Sequence, residues 1–452
     1  MRGADGGTVD VVVVGAGAAG LACTADLVEA GVRVRLLEAD DTVGGRMRTD
    51  RIGGFTLDRG FQVFNTSYPQ VKRRLELRAL RLRPFTPGVL AHTADGPRRF
   101  TDPTRRPRGS GGSGGLLPVT GVSARDLAAL GVLSARDMLM PASWLRRRPD
   151  AATAAALSDA GLSPDLVENL LRPFLSGVFL EDGLETSARF FHLVWRSMLR
   201  GTLCLPAAGI GAVPAQLASA LPAGVLRTGA PVASLTPDGV AMADGGELPA
   251  RTVVIATGQT AASDLLPGLA VPPGRTVTTF YHAAERSPLA EPTLVVDARR
   301  RFLNTCVLTE VQPGYSSDAR ALVSTSVLGS PGPADEAAVM AALGEAYGTD
   351  TTGWEAVHRV TVPDALPEML PPLDLSRTTR FAPGRYVCGD HRATGSLQGA
   401  LASGARAARE VLADLRRSTG AVSASGPGPR PGPGPGAASG PGSPSASPSG
   451  PE

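Results

Sequence analysis

The sequence predicts an α/β fold that is built on a parallel sheet, and three stretches of the chain carry this prediction. Val11–Val14 are four consecutive β-branched residues, which is typical of a strand buried on both faces. Arg251–Gly258 indicates a second buried strand, which ends in a turn of small residues. Gly384–Asp390 indicates a third, and it leads through a glycine-containing loop into a helix. Helix-period residues also follow the first strand, as an α/β fold requires.

A Gly-x-Gly-x-x-Gly motif follows the first strand and predicts a Rossmann-like, dinucleotide-binding turn. Gly15 permits the tight turn, Gly17 lets the backbone approach a pyrophosphate, and Gly20 lets the helix pack closely on the sheet. The start of that helix offers unpaired N–H groups and a positive dipole end to phosphates. The next strand, Val32–Leu37, ends in Glu38, which is placed to accept hydrogen bonds from a ribose diol.

Composition argues against several classes of function. The chain has 452 residues, a net charge of +3 and a single lysine, Lys72, so its mild basicity rests on arginine and does not indicate a nucleic-acid partner. Its four cysteines, Cys23, Cys204, Cys306 and Cys388, lie far apart and suggest neither a disulfide framework nor a metal site. We expect a cytoplasmic protein, because neither a signal-peptide pattern nor an apolar run of about 18 residues is present. A peripheral contact with the inner face of the membrane stays open.

A second glycine-rich segment, Gly44-Gly45-Arg46-Met47-Arg48-Thr49, comes soon after the ribose glutamate. Here the chain resembles the flavin-containing amine oxidase superfamily, whose members carry Gly-Gly-Arg-x-x-Thr at this place. The superfamily includes monoamine oxidases, protoporphyrinogen oxidases and phytoene (carotenoid) desaturases. The resemblance implies FAD rather than NAD as the cofactor. A guanidinium at Arg46 suits this, because it can give charge-assisted, bidentate hydrogen bonds to a pyrophosphate.

Further segments resemble the superfamily in the same chain order. The resemblance implies that the segment containing Asp58 and Gly60 passes close to the flavin, although Asp58 is equally suited to forming a turn. Leu205–Pro214 looks like the segment that returns the chain to the cofactor domain. Val232 is the residue whose backbone would read the adenine, and Thr257 belongs to an Ala-Thr-Gly turn typical of folds that bind two dinucleotides.

The C-terminal part of the resemblance is a second flavin motif, made of a strand, Gly389-Asp390, a loop and a helix over Ala400–Arg416. The resemblance implies that Asp390 hydrogen-bonds the ribityl or phosphate region of the cofactor. The helix N-terminus would face the flavin pyrimidine, where negative charge develops on reduction. His391 could also lie near the flavin, although a structural histidine is the more ordinary interpretation.

The predicted site contains cofactor-binding residues only. The FAD is expected to be non-covalent, because Cys388 lies at a strand end and not in the loop where monoamine oxidases attach their flavin. We name no catalytic residue and expect no metal ligand. The predicted cofactor-binding residues are Gly15, Ala16, Gly17, Ala19, Gly20, Glu38, Ala39, Gly45, Arg46, Gly60, Val232, Thr257, Gly389, Asp390, Leu397 and Gly399.

The resemblance implies an FAD-binding domain that is discontinuous in sequence, with an inserted α+β substrate domain of helices and a mixed sheet. The predicted FAD-binding parts are residues 9–66, 204–268 and 382–417. The predicted substrate domain comprises a helical part, residues 67–203 with a flexible loop at about 101–118, and a sheet part, residues 269–381. Residues 418–452 are rich in Pro, Gly and Ser and are expected to be a disordered tail.

Coarse patterns also place elements inside the substrate domain. Helical spacing predicts helices at Tyr68–Leu82, Asp126–Leu133, Pro164–Leu171 and Thr186–Leu199, and one more at Ala334–Tyr347. Strands are predicted at Thr276–Tyr281, Thr293–Val296, Cys306–Thr309, Ala321–Leu328 and Val357–Val362. Two apolar runs, Leu171–Leu180 and Ala188–Trp195, could line a substrate pocket, although an ordinary helical core is the simpler interpretation.

The reaction is less sharply indicated than the cofactor. Many amine oxidases of the superfamily place a lysine near flavin N5, and Lys72 lies early in the chain on a predicted exposed helix. The resemblance is therefore closest to the carotenoid-desaturase-like branch. It implies removal of a hydride from a C–H or C–N bond of a small, apolar substrate to flavin N5. The alternatives are a flavin amine oxidase, a flavin-dependent isomerase, a nicotinamide dehydrogenase and a non-enzymatic binding protein like the GDP dissociation inhibitors. The oligomeric state stays open.

Overall fold

The computed structural model describes residues 9–101 and 122–424. The predicted loop at about 101–118 lies outside the described residues apart from Thr101, and so does the predicted tail beyond Ala424. The described residues divide after Val411 into two units. Within the described ranges, no helix is long and apolar enough to cross a membrane. All four cysteines are free and buried.

The described strands range from two to 13 residues in length. In chain order they are β1 Val9–Val14, β2 Val34–Leu37, β3 Thr49–Ile52, β4 Phe55–Asp58, β5 Phe64–Asn65, β6 Arg83–Pro84, β7 Gly88–Thr93, β8 Gly96–Thr101, β9 Leu203–Leu205, β10 Leu226–Arg227, β11 Val232–Thr236, β12 Gly239–Met242, β13 Glu247–Ile255, β14 Gly274–Ala284, β15 Leu294–Asp297, β16 Asn304–Val307, β17 Ala321–Leu328, β18 Glu355–Pro367, β19 Arg380–Ala382 and β20 Arg385–Val387.

The described helices are α1 Ala18–Glu29, α2 Pro69–Arg74, α3 Ala124–Leu139, α4 Ala142–Arg147, α5 Thr153–Asp159, α6 Pro164–Leu166, α7 Arg172–Phe179, α8 Ala188–Arg200, α9 Ala212–Ser219, α10 Gln259–Leu265, α11 Leu308–Val311, α12 Pro333–Tyr347 and α13 Leu397–Ala424. A π-helical turn, Val167–Leu171, joins α6 to α7. Two short 3₁₀ turns lie at Pro313–Tyr315 and Asp390–Arg392.

The first large sheet confirms the predicted α/β class and its parallel strands. Its strand order is β10-β2-β1-β13, with β20 pairing the second half of β13 and β12-β11 continuing from the first half. The pairs β10·β2, β2·β1, β1·β13 and β13·β20 are all parallel. Val11, Val12 and Val13 have no exposed surface, because the sheet is covered on both faces as the valine run predicts.

The second large sheet is mixed, as the sequence predicts for the substrate domain. Its order is β18-β14-β17-β16-β15-β7-β8, and β15·β7 is its one parallel pair among the described strands. The sequence predicted β17 to the residue and α12 to within one residue. Side chains of α12, including Val339 and Leu343, pack on one face of the sheet against Phe280 and Val327.

Four sequence predictions need correction. The hairpin β7–β8 lies in residues that the sequence analysis assigns to the helical part, and Gly88–Thr93 alternate in burial as a strand requires. The helix predicted over Tyr68–Leu82 ends at Arg74, where Leu75 becomes extended and buries its side chain. The strand predicted at Cys306–Thr309 ends at Val307, and α11 follows it.

The fourth correction concerns the last helix. We predicted that it ends at Arg416 and that residues from Ser418 onward have no structure, but α13 continues to Ala424. The sequence between these points holds no proline, and the first helix-breaking residue of that kind is Pro427.

The helical region α3–α8 has its own apolar core. Phe179 and Phe191, from the two apolar runs, have relative exposures of 0% and 1% and pack with Leu175 and Leu133. The ordinary interpretation of these runs is therefore the better one, since their large side chains fill a core and do not line an open pocket.

Candidate functional site

The carboxyl ends of four parallel strands meet in register at one edge of the first sheet. Val14 pairs with both Leu37 and Ile255, and Ile255 pairs with Val387. In open α/β sheets this edge is where ligands bind. The next residues along the chain belong to the predicted motifs and are Gly15, Glu38, Ala256-Thr257 and Cys388-Gly389-Asp390.

Sterics account for the glycines of the first turn. Gly15 has φ +101°, and a Cβ there would lie 2.9 Å from the carbonyl oxygen of Ala256. A Cβ on Gly20 would lie 1.9 Å from the carbonyl oxygen of Gly15, so only glycine lets α1 pack this closely. Gly17 differs, because nothing lies within 4 Å of the position its Cβ would take. No side chain caps α1, so the space beside its first N–H groups is open.

Glu38 organises the side of the site that lies between β2 and β11. Its buried carboxylate accepts hydrogen bonds from the N–H of Ala16 at 2.7 Å and from the N–H of Asp40 at 3.1 Å. The backbone of Glu38 accepts in turn from the N–H of Ala230, which precedes β11. Val232, at the start of β11, is thereby held near Glu38. Ala39 is exposed between these contacts.

Arg46 joins the first and last flavin motifs. Its Nη2 donates to the Asp390 carboxylate at 2.7 Å, and its Nη1 donates to the carbonyl oxygens of Ala365 at 2.7 Å and Asp364 at 3.4 Å. The charge of Asp390 raises the pKa of Arg46. The N–H of Gly44 donates to the carbonyl oxygen of Ala16, so this segment lies against the first turn. The guanidinium that we predicted beside a pyrophosphate therefore has protein partners of its own.

The last motif is closely packed around Asp390. Asp390 and His391 are both buried, and a Cβ on Gly389 would lie 2.5 Å from the His391 ring. Burial lowers the pKa of His391 to about 4, so the imidazole is neutral near pH 7, and its Nε2 has no hydrogen-bond partner among the described residues. Leu397 begins α13 and is half-buried, and a Cβ on Gly399 would lie 1.9 Å from the carbonyl oxygen of Thr394.

Asp58 supports the site and does not form a turn. Its buried carboxylate accepts from the Thr49 hydroxyl at 2.6 Å and from the N–H of Ile210 at 2.9 Å. These bonds attach the returning segment to β4. Burial raises the pKa of Asp58 to about 6. Gly60 follows with φ +82°, and a Cβ there would lie 3.4 Å from Val362 on the mixed sheet.

The structure adds two residues to the site that no sequence motif indicates. Asp364 has φ +52°, and its carboxylate accepts from the side chains of Gln259 and Thr260 at the start of α10. Gln62 donates to the carbonyl oxygen of Arg46 at 2.7 Å. Neither residue belongs to a motif, and the role of Asp364 becomes visible only when β18 of the mixed sheet lies beside α10.

A row of polar side chains crosses the mixed sheet on the face that meets Phe61. The N–H of Phe61 donates to the Thr279 hydroxyl at 3.2 Å, and that hydroxyl lies 3.2 Å from the hydroxyl of Ser326. Ser326 pairs with Asn304 across the strands, and all three side chains are buried. Lys72 lies on α2 and is exposed, as predicted.

The described chain also contains a cavity of about 470 Å³ away from this edge. Its lining includes Pro173, Ser176, Asp297, Leu303, Val327 and Val339. None of the predicted cofactor-binding residues lines it, so we do not assign it to the cofactor. Among the described residues, no group of His, Cys, Asp and Glu could hold a metal ion.

The residues at the strand ends fit a dinucleotide cofactor. Gly17, Gly45 and Gly258 border space that a Cβ could enter without a contact closer than 3.8 Å. Thr257 lies beside the turn, because its backbone N is 3.1 Å from the place of a Gly15 Cβ. Ala19 and Gly20 are buried in the first turn of α1. The site therefore combines open backbone N–H groups, which can donate to phosphates, with a buried carboxylate, which can accept from sugar hydroxyls.

Comparisons with known proteins bear on this site. Residues 18–412 match the family model described as flavin containing amine oxidoreductase. The putative flavin-containing monoamine oxidase AofH of Mycobacterium tuberculosis is 53% identical over 53 residues, 12% of each chain. Phytoene dehydrogenase of Streptomyces griseus is 41% identical over 97 residues, 20% of this chain and 19% of that protein. The aligned stretches span at most 33% of the curated relatives' own length.

Likeness to solved structures covers far more of the chain. The crystal structure of a putative protoporphyrinogen oxidase from Exiguobacterium sp. matches 90% of this chain and 99% of that chain, with a TM-score of 0.66 and 18% identity. At that identity the likeness shows the fold alone.

Proposed function

The chain belongs to the family of flavin-containing amine oxidoreductases, and from this premise we propose that it holds FAD non-covalently and dehydrogenates a small organic substrate. We propose that the oxidised bond is a C–H bond of an apolar, desaturase-type substrate. The family makes the chain a flavin-dependent oxidoreductase, and the identity of the substrate is the part that is proposed.

The observation that carries the cofactor proposal is the ion pair between Arg46 and Asp390. These residues come from motifs at opposite ends of the chain, and their side chains meet at 2.7 Å beside the glycine turn. A nicotinamide-binding or empty site has no need for this second motif. The pair supports a cofactor that extends from the first turn to the start of α13, as a flavin dinucleotide would.

Each residue has a role that follows from its surroundings. Glu38 would accept from ribose hydroxyls, because each of its oxygens accepts one N–H bond and retains a free lone pair. Arg46 would place positive charge by the diphosphate, and Asp390 would accept from the ribityl hydroxyls. The N-terminus of α13 would stabilise negative charge on the flavin ring. When bound, the flavin supplies the two-electron acceptor for the reaction.

The lysine pattern favours C–H over amine oxidation. The single lysine lies on exposed α2, and the polar row at Phe61 is built from Thr279, Ser326 and Asn304. The exposed lysine and these three uncharged side chains cannot take the place of the lysine that many amine oxidases hold near flavin N5. Oxidation of an amine is the second candidate, and the named monoamine oxidase relative favours it.

The test is to purify the protein, record its visible spectrum and identify the released cofactor by mass spectrometry after denaturation. Candidate polyene lipids and primary amines are then added to the oxidised protein without oxygen. We expect a yellow protein that releases FAD and bleaches with a polyene. Bleaching by amines alone assigns amine oxidation, and a colourless protein that takes up no added FAD overturns the proposal.

Variants at the two charged residues test the cofactor assignment. Glu38→Ala and Arg46→Ala each remove a charge-assisted bond, so FAD should bind about ten- to a hundredfold more weakly, as measured by titration of the apoprotein. Arg33→Ala is the matched control, because Arg33 pairs with Asp10 on the surface and should leave the affinity unchanged. Unchanged affinity in both site variants would show that the site is misplaced.

A further inference from the structure

Large apolar side chains are exposed mainly in one corner of the helical region. The described residues contain eight such side chains, and five of them lie within twenty residues of sequence. Val132 is 71% exposed, Leu139 77% and Trp144 42%, and Leu127 and Met140 complete the group. Clusters of this kind on a soluble surface mark a contact with a partner.

Helix α3 buries both of its acidic residues beside Leu130 and Leu133, and it exposes small apolar residues on its outer face. Its two acidic residues point inward, where Asp126 accepts from Ser163 and Asp137 lies 2.8 Å from His192. Its exposed face is small and apolar and repeats at intervals of three or four residues. This face consists of Ala124, Ala128, Val132, Ala135 and Leu139. A helix that faces water would carry charges there, so this face is built for a less polar neighbour.

Arginines border the apolar face. Arg125 and Arg147 are exposed, and the Arg148 guanidinium lies 5.1 Å above the Trp144 ring. The Arg148 Nη1 is buried and has no acceptor among the described residues. The only acidic side chains between Val122 and Arg148 are the two buried ones of α3, so this segment exposes arginines and no carboxylate.

The end of α3 is also fixed by positive charge. Arg196 donates to the carbonyl oxygens of Met138 and Met140, and Arg200 donates to the carbonyl oxygen of Met138. These bonds satisfy the last carbonyls of the helix and hold the turn into α4. Leu139 and Met140 are therefore presented at a rigid corner.

We propose that this surface, formed by the outer face of α3, Met140, Trp144 and the bordering arginines, docks on an anionic phospholipid bilayer. We call it the α3 corner. Apolar side chains inside a positive border match acyl chains beneath negative headgroups, and the arginine stems can reach from one to the other. A second copy of the chain fits less well, since it would set the arginines of both copies against each other.

The experiment is flotation of the full-length, flavin-loaded protein with vesicles of phosphatidylcholine alone or mixed with phosphatidylglycerol. We expect binding to the mixed vesicles that weakens as salt is raised, with little binding to phosphatidylcholine alone. The double variant Leu139→Ser, Trp144→Ser should lower the partition coefficient at least tenfold. Arg147→Ala should lower it about fivefold.

The matched control is Phe381→Ser, because Phe381 is 37% exposed and lies outside the corner. It should bind vesicles as the parent does. Equal binding by the double variant overturns the proposal, and so does a parent that binds neither vesicle while keeping its flavin spectrum. A dimer in sedimentation that the double variant dissociates would assign the surface to a second copy instead. Vesicle binding is read without turnover, so it does not depend on the proposed reaction.

Discussion

The two large sheets place their functional groups in different ways. In the parallel sheet the strands are apolar, and the site lies in the turns that follow them, where glycines and backbone N–H groups act. In the mixed sheet the strands themselves carry buried hydroxyls, such as Thr278, Thr279 and Thr325. A site in turns can be recognised from local sequence, whereas a site on a sheet face exists only once strands from distant residues have paired.

The largest effect is expected in the glycine turn after β1, where two variants separate helix packing from cofactor contact. Gly20→Ala places a Cβ 1.9 Å from a backbone oxygen, so the free energy of unfolding of the apoprotein should fall by more than about 3 kcal/mol. Gly17→Ala meets nothing within 4 Å and should keep its stability while binding FAD more weakly. Urea unfolding and FAD titration measure the two effects. If Gly17→Ala binds FAD as tightly as the parent does, the cofactor does not occupy the space beside α1.

The second test compares one buried histidine in each region. Burial lowers the pKa of His282, on the mixed sheet, and of His391 to about 4. Glu336 lies 3.9 Å from His282, beyond hydrogen-bond reach, and does not offset that burial. Both rings are neutral when folded but titrate near pH 6.5 when unfolded. The unfolding free energy should therefore fall as pH drops from 6.5 to 4, by up to about 3 kcal/mol for each histidine.

His282→Gln and His391→Gln measure the two contributions one at a time. Each should flatten the loss of unfolding free energy between pH 6.5 and 4.5 relative to the parent. Asp58 acts in the opposite direction, because its raised pKa removes stability as pH rises from about 4 to 6. It is common to all variants, so the differences isolate the histidines. Parallel pH curves for parent and variants would contradict the assignment.

The smallest test compares the two faces of β14. Thr279→Val leaves the N–H of Phe61 without its acceptor, and Thr278→Val removes bonds to Gly329 and Thr361 on the opposite face. Each should cost about 1–2 kcal/mol of unfolding free energy. Only Thr279→Val should slow the reduction of the flavin by substrate in stopped-flow measurements. Equal rates in both variants would place the substrate away from this face.

Much of the fold could be predicted from the sequence, because its long elements obey simple periods. The valine run specified β1, and β17 and α12 were located almost to the residue. The hairpin β7–β8 was missed because its alternation is short and lies among helical segments. The helix α13 was cut short because composition, and not the position of the next proline, was used to end it.

Some residues of the candidate site could likewise be predicted from the sequence, and others could not. The glycine turn and Glu38 could be found because they are neighbours in sequence and act through a spacing rule. The partners of Arg46 could not be found, since Asp364 lies 318 residues away and contacts Arg46 through a backbone carbonyl that any residue has. The raised pKa of Asp58 was equally hidden, because it depends on burial in the folded chain, which outweighs the opposing hydrogen bonds from Thr49 and Ile210.

The order of strands in the parallel sheet governs when the site can exist during synthesis. β1 and β2 come from residues 9–37, but β13 and β20 come from residues 247–255 and 385–387. Contacts of such long sequence separation form slowly, whereas hairpins such as β7–β8 close locally. At about 5–20 residues per second, a ribosome exposes Asp390 well after the glycine turn. Retention of FAD would thus show that the late strand β20 has joined the sheet begun by β1.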